Sequence, residues 1–242
     1  MSEPWFVEAF KAGYLDVYPH RDLAEAKREA EFLQAHGVGG IVVDVCCGYG
    51  RHCRALRDLG VRTFGVDLST DLLGRAIELY PDLRGRIVCG DARALPFATS
   101  SADAAVSLFS SFGYFGEAGD LGLLREVGRV LRPGAAFVLD LLNPDRVRAD
   151  LVPFSVSSGA GLEIEERRSL ADGGRRVIKE VVHRARDGSI RSWREDVRLY
   201  SAAELEPWLG EVGIGFEAAF GDFDGSAVSP RSPRQILFGR RR

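Results

Sequence analysis

The chain has 242 residues, of which 45% are hydrophobic and 28% are charged, so it carries enough apolar surface to bury a sizeable core. Its 32 basic and 35 acidic residues give a formal net charge of −3, and the basic residues are scattered apart from Arg240, Arg241 and Arg242. This charge pattern does not predict a nucleic-acid-binding surface. For the three terminal arginines, a polyanion contact remains as the alternative to a solvated tail.

Cysteine spacing and hydropathy give an expectation for the cellular compartment of the protein. Cys46 and Cys47 are adjacent while Cys53 and Cys89 stand apart, and this spacing matches neither a zinc site nor a disulfide framework. The first residues are acidic where a signal peptide is basic, and no apolar run approaches the roughly 18 residues of a membrane helix. We therefore expect a cytoplasmic protein with no metal site and no membrane partner.

The first predicted elements are a helix, a strand and a second helix. Apolar residues at helical spacing predict an amphipathic helix over residues 22–36, opened by Asp22 with Glu25 three positions on. The run from Ile41 to Val45 is short, apolar and followed by glycines, which is typical of a buried parallel strand. A helix should follow over about residues 51–59.

Strands and helices continue to alternate up to residue 140. The segment Arg132-Pro133-Gly134 should end the last helix of this series and turn into the next strand. Five strands with intervening helices predict an α/β fold with a doubly wound parallel sheet and right-handed crossovers. The predicted segments after residue 60 are a strand over 62–66, a helix capped by Ser69, strands over 86–89 and 104–108, a helix over 120–131 and a strand over 135–140.

From about residue 162 the pattern changes to alternating apolar and polar residues with glycine turns, which predicts an antiparallel β meander inserted into the fold. Its segments are Leu162 to Leu170, Arg176 to Arg186 and Ile190 to Tyr200. Ser201 with Glu204 should then cap a final helix, and two strands should follow over 215–221 and 234–240.

The loop Asp44-Val-Cys-Cys-Gly-Tyr-Gly50 follows the first strand, so it should lie at the carboxyl edge of the sheet, where ligands bind. Gly48 and Gly50 let the backbone approach a ligand closely. A dinucleotide-binding loop would have glycine at Cys53, and the Asp44 carboxylate would repel a pyrophosphate. A ligand with ammonium and sulfonium groups would instead be attracted, and S-adenosylmethionine has both. The alternative is that Asp44 caps the helix or braces the loop.

Two further acids end the next strands. Asp67 stands 23 positions after Asp44, about where a carboxylate accepts hydrogen bonds from both ribose hydroxyls. Asp91 ends the third strand, where it can accept the exocyclic amine of an adenine while Ala92 offers its backbone amide. A helix cap is the alternative for Asp67, but Ser69 is better placed for that role.

The chain resembles the class I S-adenosylmethionine-dependent methyltransferases over roughly residues 20–242. The resemblance rests on Val-Asp-Val-Cys-Cys-Gly-Tyr-Gly-Arg-His, Gly-Val-Asp-Leu-Ser, Gly-Asp-Ala-Arg-Ala-Leu-Pro-Phe and Leu-Arg-Pro-Gly. It implies a Rossmann-like seven-stranded sheet with an antiparallel last strand, and S-adenosylhomocysteine as the product of the cofactor. The chain has Cys46 where the family has glycine, and a residue this small should preserve the loop. We expect the three acids, Gly48, Gly50 and Ala92 to contact the cofactor. Five further residues should also contact it: Cys46, Leu68, Phe109, Tyr18 and Arg21.

Methyl transfer is an in-line displacement that a protein promotes largely by positioning the acceptor and dispersing charge. Our candidate catalytic residues are Tyr14 in the N-terminal segment, Tyr114 in the aromatic loop after the fourth strand, and Asp222 in a late turn. Packing roles for the tyrosines and a turn role for Asp222 are the alternatives. His52 and His183 are better explained as structural residues.

The sequence predicts a methyltransferase that acts on N or O of a small-molecule acceptor, as a monomer or homodimer and without a nucleic-acid partner. The alternatives are a non-catalytic S-adenosylmethionine-binding regulatory or scaffold protein and, less favoured, an NAD-dependent oxidoreductase. We expect one domain over 1–242. Its parts would be an N-terminal helical lid over 1–36, a cofactor-binding core over 37–145, a β meander roofing the substrate pocket over 160–200, and a C-terminal helix with strands over 201–242.

Overall fold

The computed structural model describes residues 4–11, 22–159 and 162–242, which form two β-sheets flanked by helices. The strands are β1 Ile41–Val45, β2 Arg62–Asp67, β3 Ile87–Cys89, β4 Ala102–Ser107, β5 Leu131–Leu142, β6 Phe154–Gly159, β7 Leu162–Ala171, β8 Arg176–Arg184, β9 Ile190–Arg198, β10 Ile214–Phe220 and β11 Arg234–Arg241. The helices are α1 Trp5–Ala9, α2 Leu23–Ala35, α3 Arg51–Asp58, α4 Thr70–Leu79, α5 Gly116–Val130, α6 Pro144–Asp150 and α7 Ala202–Glu211, with short 3₁₀ turns at Pro81–Leu83 and Asp172–Gly174.

The main sheet has seven strands in the order β3-β2-β1-β4-β5-β11-β10. β1 pairs in parallel with β2 and with β4, whereas β11 runs antiparallel to both β5 and β10. The predicted doubly wound sheet with an antiparallel last strand is confirmed. Because the strand order reverses between β1 and β4, the carboxyl ends of these two strands flank the crevice where open α/β sheets bind ligands.

Both faces of the main sheet are covered by helices. On one face Val43 and Val45 of β1 join a core that includes buried residues of α5 and α7. On the other face Val42 joins a core with buried residues of α2 and α3. A parallel strand buried on both sides needs a continuous apolar run, which explains why β1 lacks the alternation of the later strands.

Local capping signals predicted three helix starts correctly. The Asp22 carboxylate accepts the backbone N–H of Glu25 at 2.8 Å, and Ser69 accepts that of Leu72 at 3.2 Å. Ser201 and Glu204 form the reciprocal capping box of α7. One helix begins at Gly116 rather than at residue 120, and α6 was not predicted. α1 falls within the predicted N-terminal helical lid, although the sequence did not give its bounds.

The predicted turn Arg132-Pro133-Gly134 lies inside β5 instead of before it, because the strand already begins at Leu131. Leu131 pairs with Ala102, and the register then shifts so that Ala136 pairs with Ala104. The proline and the glycine, whose φ is +81°, therefore form an irregularity within the strand.

The second sheet is antiparallel, in the order β6-β7-β8-β9, and confirms the predicted meander while adding β6 before it. It therefore begins at Phe154, ahead of the expected start at residue 160. At the end of β9 the Arg198 N–H donates to the Gly113 carbonyl at 2.9 Å, which ties this sheet to the loop after β4. Gly113 has a φ of +88°, and a Cβ there would collide with the Arg198 carbonyl oxygen.

Across the described ranges, none of the helices has the length and apolar character needed to cross a membrane.

Candidate active site

A cavity of about 870 Å³ lies at the carboxyl ends of β1, β2 and β4 and extends to the second sheet. Its volume falls in the range of roughly 300–1,000 Å³ that is usual for small-molecule sites. Residues of α1, α4, α6 and the loop after β4 complete its walls. The cavity thus collects residues from segments that are far apart in the sequence.

The loop after β1 shapes one wall through its backbone conformation. Cys46 and Gly48 line the cavity and have φ values of +62° and +55°. A side chain at positive φ costs about 1–2 kcal/mol, so Cys46 occupies at some cost a position suited to glycine. Gly50, with φ of +75°, begins α3 and does not line the cavity. A Cβ on Gly50 would lie 2.6 Å from Leu83 Cδ1, so its lack of a side chain serves packing.

Asp44 lies beneath this loop rather than in the cavity wall. Its side chain is 1% exposed, and the Cys53 thiol donates to its Oδ2 at 3.3 Å. Burial raises the pKa of Asp44 to about 6, against the opposing effects of His52 and Cys53. This position fits the loop-bracing role that was the alternative, and a contact between Asp44 and a cofactor stays a prediction.

Asp67 ends β2 and lines the cavity beside Leu68. Its Oδ2 accepts the N–H of Gly48 and its Oδ1 accepts the N–H of Ser69, both at 2.8 Å. Burial raises the pKa of Asp67, while these two N–H groups act to lower it. Each oxygen keeps lone pairs for a further donor, so Asp67 can join the loop to a ligand hydroxyl.

Asp91 and Ala92 follow β3 and also line the cavity. Arg93 forms a side-chain ion pair with Asp91 at 2.6 Å, and its hydrogen bonds lower the pKa of that carboxyl. The Arg93 guanidinium lies 4.6 Å from the centre of the Phe115 ring. Asp91 is therefore an ionised acceptor held in place at the cavity edge.

Phe109 lines the cavity just after β4 in a constrained conformation, with a φ of +62°. Its N–H donates to Asp140 Oδ2 at 2.7 Å. Asp140 also pairs with Arg234 at 2.5 Å. The guanidinium carbons of Arg51 and Arg234 lie 5.1 Å and 4.7 Å from the centre of the Phe109 ring. Asp140, Arg51 and Arg234 thus hold Phe109 in a backbone conformation whose strain costs about 1–3 kcal/mol per residue.

An aromatic cluster covers another side of the cavity. That side is lined by Phe6 of α1, by Phe10 just after that helix, and by Tyr114. The ring of Tyr114 lies 4.8 Å from that of Trp5 and 5.9 Å from that of Phe10. The described part of the N-terminal segment therefore covers the cavity. The predicted site residues Tyr14, Tyr18 and Arg21 lie outside the described residues.

Asp222 does not line the cavity. Its carboxylate accepts the N–H of Phe223 at 2.8 Å in the turn before β11, which matches the turn role weighed for it. His52 lines the cavity but its Nε2 lies 2.5 Å from Glu29 Oε2, a buried pair that fits a structural role. His183 is buried in β8 and is absent from the cavity wall.

The sequence predicted that the meander roofs the substrate pocket, but it named none of the second-sheet residues that line the cavity. Ser155, Arg168, Lys179 and Glu195 line the cavity there, one from each strand. In the sequence these are polar or charged residues within alternating strands. Which face of the sheet they occupy cannot be decided until the register of the strands is known. Arg51, immediately after Gly50, was also missed.

The fold and this site define a Rossmann-like α/β protein with a small-molecule cavity at the carboxyl edge of its sheet. Residues 42–134 match the family model described as Methyltransferase domain.

Three known proteins illustrate the similarity. The demethylmenaquinone methyltransferase of Beutenbergia cavernae is 37% identical over 101 residues, which cover 42% of this chain and 40% of that protein. The fatty-acid O-methyltransferase of Mycolicibacterium smegmatis is 30% identical over 173 residues, which cover 66% of this chain and 60% of that protein. The solved structure of the CcbJ methyltransferase from Streptomyces caelestis has a TM-score of 0.83 at 21% identity, and the match covers 100% of this chain and 99% of that one.

The chain therefore spans less than two thirds of the length of these two sequence relatives. At 21% identity, the likeness to the CcbJ methyltransferase concerns the fold. The family match covers the loop after β1 and the two later acids, and the strand order agrees with it. Residues 42–134 are therefore similar to a methyltransferase domain, and the fold of the chain resembles that of the CcbJ methyltransferase.

Proposed function

We propose that the protein binds S-adenosylmethionine and transfers its methyl group to N or O of a small-molecule acceptor. The observation that carries the proposal is the continuity of the cavity. One end is lined by Cys46, Gly48 and Asp67, and the other reaches the polar face of the second sheet. A cofactor and an acceptor can therefore meet inside one enclosure.

The residues present fit the cofactor. Asp67 has lone pairs left for the ribose hydroxyls, and Asp91 with Ala92 can receive an adenine. Cys46, Gly48, Leu68 and Phe109 would form the remaining contacts, whereas Asp44 and Gly50 would act on the loop from behind. When bound, the cofactor supplies an electrophilic methyl group on its sulfonium.

The chain's own contribution to transfer is to position the acceptor and exclude water. Tyr114 lies in the wall between α1 and the loop after β4, where it can orient an acceptor. Tyr14 stays a prediction, and the position of Asp222 outside the wall leaves it without a contact that supports catalysis. A roofed cavity with polar groups favours an enzyme over a non-catalytic scaffold, which would need only an exposed surface at this place.

Isothermal titration calorimetry with S-adenosylmethionine, S-adenosylhomocysteine and NAD tests the proposal. We expect both sulfur compounds to bind and NAD to give no heat, because Cys53 and the buried Asp44 do not suit a pyrophosphate. Binding of NAD alone would overturn the proposal and favour an oxidoreductase.

Asp67→Ala should weaken S-adenosylhomocysteine binding, because it removes the acceptor assigned to the ribose hydroxyls and the anchor of the Gly48 N–H. The expected loss is about 1–3 kcal/mol, a roughly 5- to 150-fold rise in Kd. Asp71→Ala is the matched control, since it removes the same charge from an exposed position in the first turn of α4. Equal affinities for the two variants would mean that the ribose site is assigned wrongly.

A further inference from the structure

A polar network crosses the second sheet on the face that lines the cavity. Arg168, Lys179 and Glu195 lie directly opposite one another on β7, β8 and β9. Ser155 of β6 lies opposite Glu166 of β7. All four strands thus contribute to one charged surface.

The members of the network hold one another in place. Lys179 Nζ lies 2.9 Å from Glu195 Oε2 and 3.6 Å from Glu166 Oε1. Arg168 pairs with Glu166 at 2.5 Å and donates to Ser155 Oγ at 3.0 Å. The indole N–H of Trp193 donates to the other carboxylate oxygen of Glu195 at 3.1 Å. Glu195 is therefore fixed through both of its oxygens.

These charged groups are largely withdrawn from water. The side chains of Lys179 and Glu195 are 13% and 16% exposed, and both line the cavity. Burying such a cluster carries a desolvation cost, and well-packed apolar residues can hold a sheet together as well. The stability of the sheet therefore does not by itself explain why charges occupy this wall.

The network is balanced in charge, since Arg168 and Lys179 face Glu166 and Glu195. Such a wall offers strong hydrogen-bond donors and strong acceptors but carries no net charge for an ionic ligand to neutralise. Hydroxyl groups suit it, because each can both donate and accept a hydrogen bond. An apolar ligand would remove these groups from water without forming hydrogen bonds to them, which is unfavourable.

An apolar strip adjoins the charged groups. Val177 and Val197 lie opposite each other and both line the cavity, next to Lys179 and Glu195 on their strands. The wall therefore presents methyl groups beside hydrogen-bonding groups. A compact ring with C–H groups on one face and hydroxyls at its edge matches both parts.

From this arrangement we infer that the second sheet is the acceptor-binding wall and that it selects a polyhydroxylated, sugar-like acceptor over a long-chain apolar one. Lys179 and Glu195 hydrogen-bond the acceptor hydroxyls, while Val177 and Val197 contact its ring. This inference rests on the proposed function, because it assigns the acceptor end of the same cavity.

The test uses calorimetry on the full chain saturated with S-adenosylhomocysteine, with D-glucosamine, D-galactosamine, D-glucose and decanoic acid as probes. At least one sugar should bind, and decanoic acid should bind more weakly or not at all. Glu195→Gln and Lys179→Met should each raise the Kd of that sugar by roughly tenfold or more. The Kd of S-adenosylhomocysteine should stay within about twofold in both variants, since neither residue belongs to the cofactor end.

Glu180→Gln is the matched control, because it makes the same change at an exposed position on the opposite face of β8, and it should leave sugar binding unchanged. Tighter binding of decanoic acid than of every sugar, no response to any sugar, or equal effects of Glu195→Gln and Glu180→Gln would each overturn the inference. Failure of the proposed function looks different, because S-adenosylhomocysteine itself would then not bind.

Discussion

Asp44 is a carboxylate that the fold keeps fully buried under the loop after β1. Its nearest donor is the Cys53 thiol, and burial raises its pKa to about 6. A raised pKa means that folding favours the protonated acid. Below the unfolded pKa near 3.8, both states are protonated and Asp44 has no effect on the pH dependence of stability. Between the unfolded pKa near 3.8 and the folded pKa of about 6, the unfolded chain loses this proton while the folded protein keeps it, so the free energy of unfolding falls as the pH rises through that window.

Asp44→Asn should remove this pH-dependent loss, because an amide does not ionise. The free energy of unfolding of the variant, relative to that of the wild type, should grow by up to about 3 kcal/mol between pH 4 and pH 7. Urea unfolding at pH 4, 5.5 and 7 measures this difference.

Asp103→Asn is a control of opposite sign, because the backbone N–H of Ile41 lowers the pKa of Asp103. That variant should lose stability relative to the wild type as the pH rises toward the unfolded pKa near 3.8, and the difference should stay nearly constant between pH 4 and pH 7. A difference between wild type and Asp44→Asn that does not change with pH would contradict the assignment of a raised pKa.

Among the elements, α7 shows how a local signal supports the core. Its capping box joins Ser201 to Glu204, and Leu205 and Leu209 are fully buried in the cluster that also contains Tyr200. The cap therefore fixes the start of a helix that closes one face of the main sheet.

Ser201→Ala should lower the free energy of unfolding by about 0.5–2 kcal/mol, because it leaves the Glu204 N–H without its capping oxygen. Urea unfolding at neutral pH gives the value. Ser192→Ala, at an exposed position on β9, should change stability by no more than about 0.5 kcal/mol. If the two variants lost equal stability, the capping box would not be the cause.

Elements with local signals could be predicted from the sequence, and the resemblance implied the seven-stranded sheet with an antiparallel last strand. α6 was missed although Asn143 caps it and Pro144 occupies its first turn, so the signal was present but was not used. β6 has a short alternating pattern next to glycines, which local propensity does not separate from a loop.

Three residues that line the cavity at the sheet edge could be predicted, because they follow consecutive strands. Asp67, Asp91 and Phe109 each stand at or just past the end of a strand, and their contacts with a cofactor stay a prediction. The second sheet was predicted to roof the pocket, but which of its residues line the cavity could not be predicted. Lys179 lies beside Glu195 and Arg168 because of the register in which β7, β8 and β9 pair. The sequence alone does not determine that register.

For the whole molecule, a ligand that binds the folded state alone should stabilise it against heat. S-adenosylhomocysteine at 100 times its Kd should add about 2.7 kcal/mol to the free energy of unfolding. In a domain of this size that is a rise in Tm of roughly 5–10 °C. Differential scanning fluorimetry measures the shift, with NAD at the same concentration as the control. An equal shift with NAD would contradict the cofactor assignment.

Gly113 connects the second sheet to the loop after β4, which lines the cofactor end of the cavity. Its carbonyl accepts the Arg198 N–H of β9, and its own loop carries Phe109 and Tyr114 into the cavity wall. Since not even a methyl group fits between Gly113 and Arg198, the second sheet and this loop are mechanically coupled. We therefore expect a displacement of the sheet at Arg198 to move the loop that carries Phe109 and Tyr114. If acceptor binding changes the affinity for the cofactor by some factor, cofactor binding must change the affinity for the acceptor by the same factor.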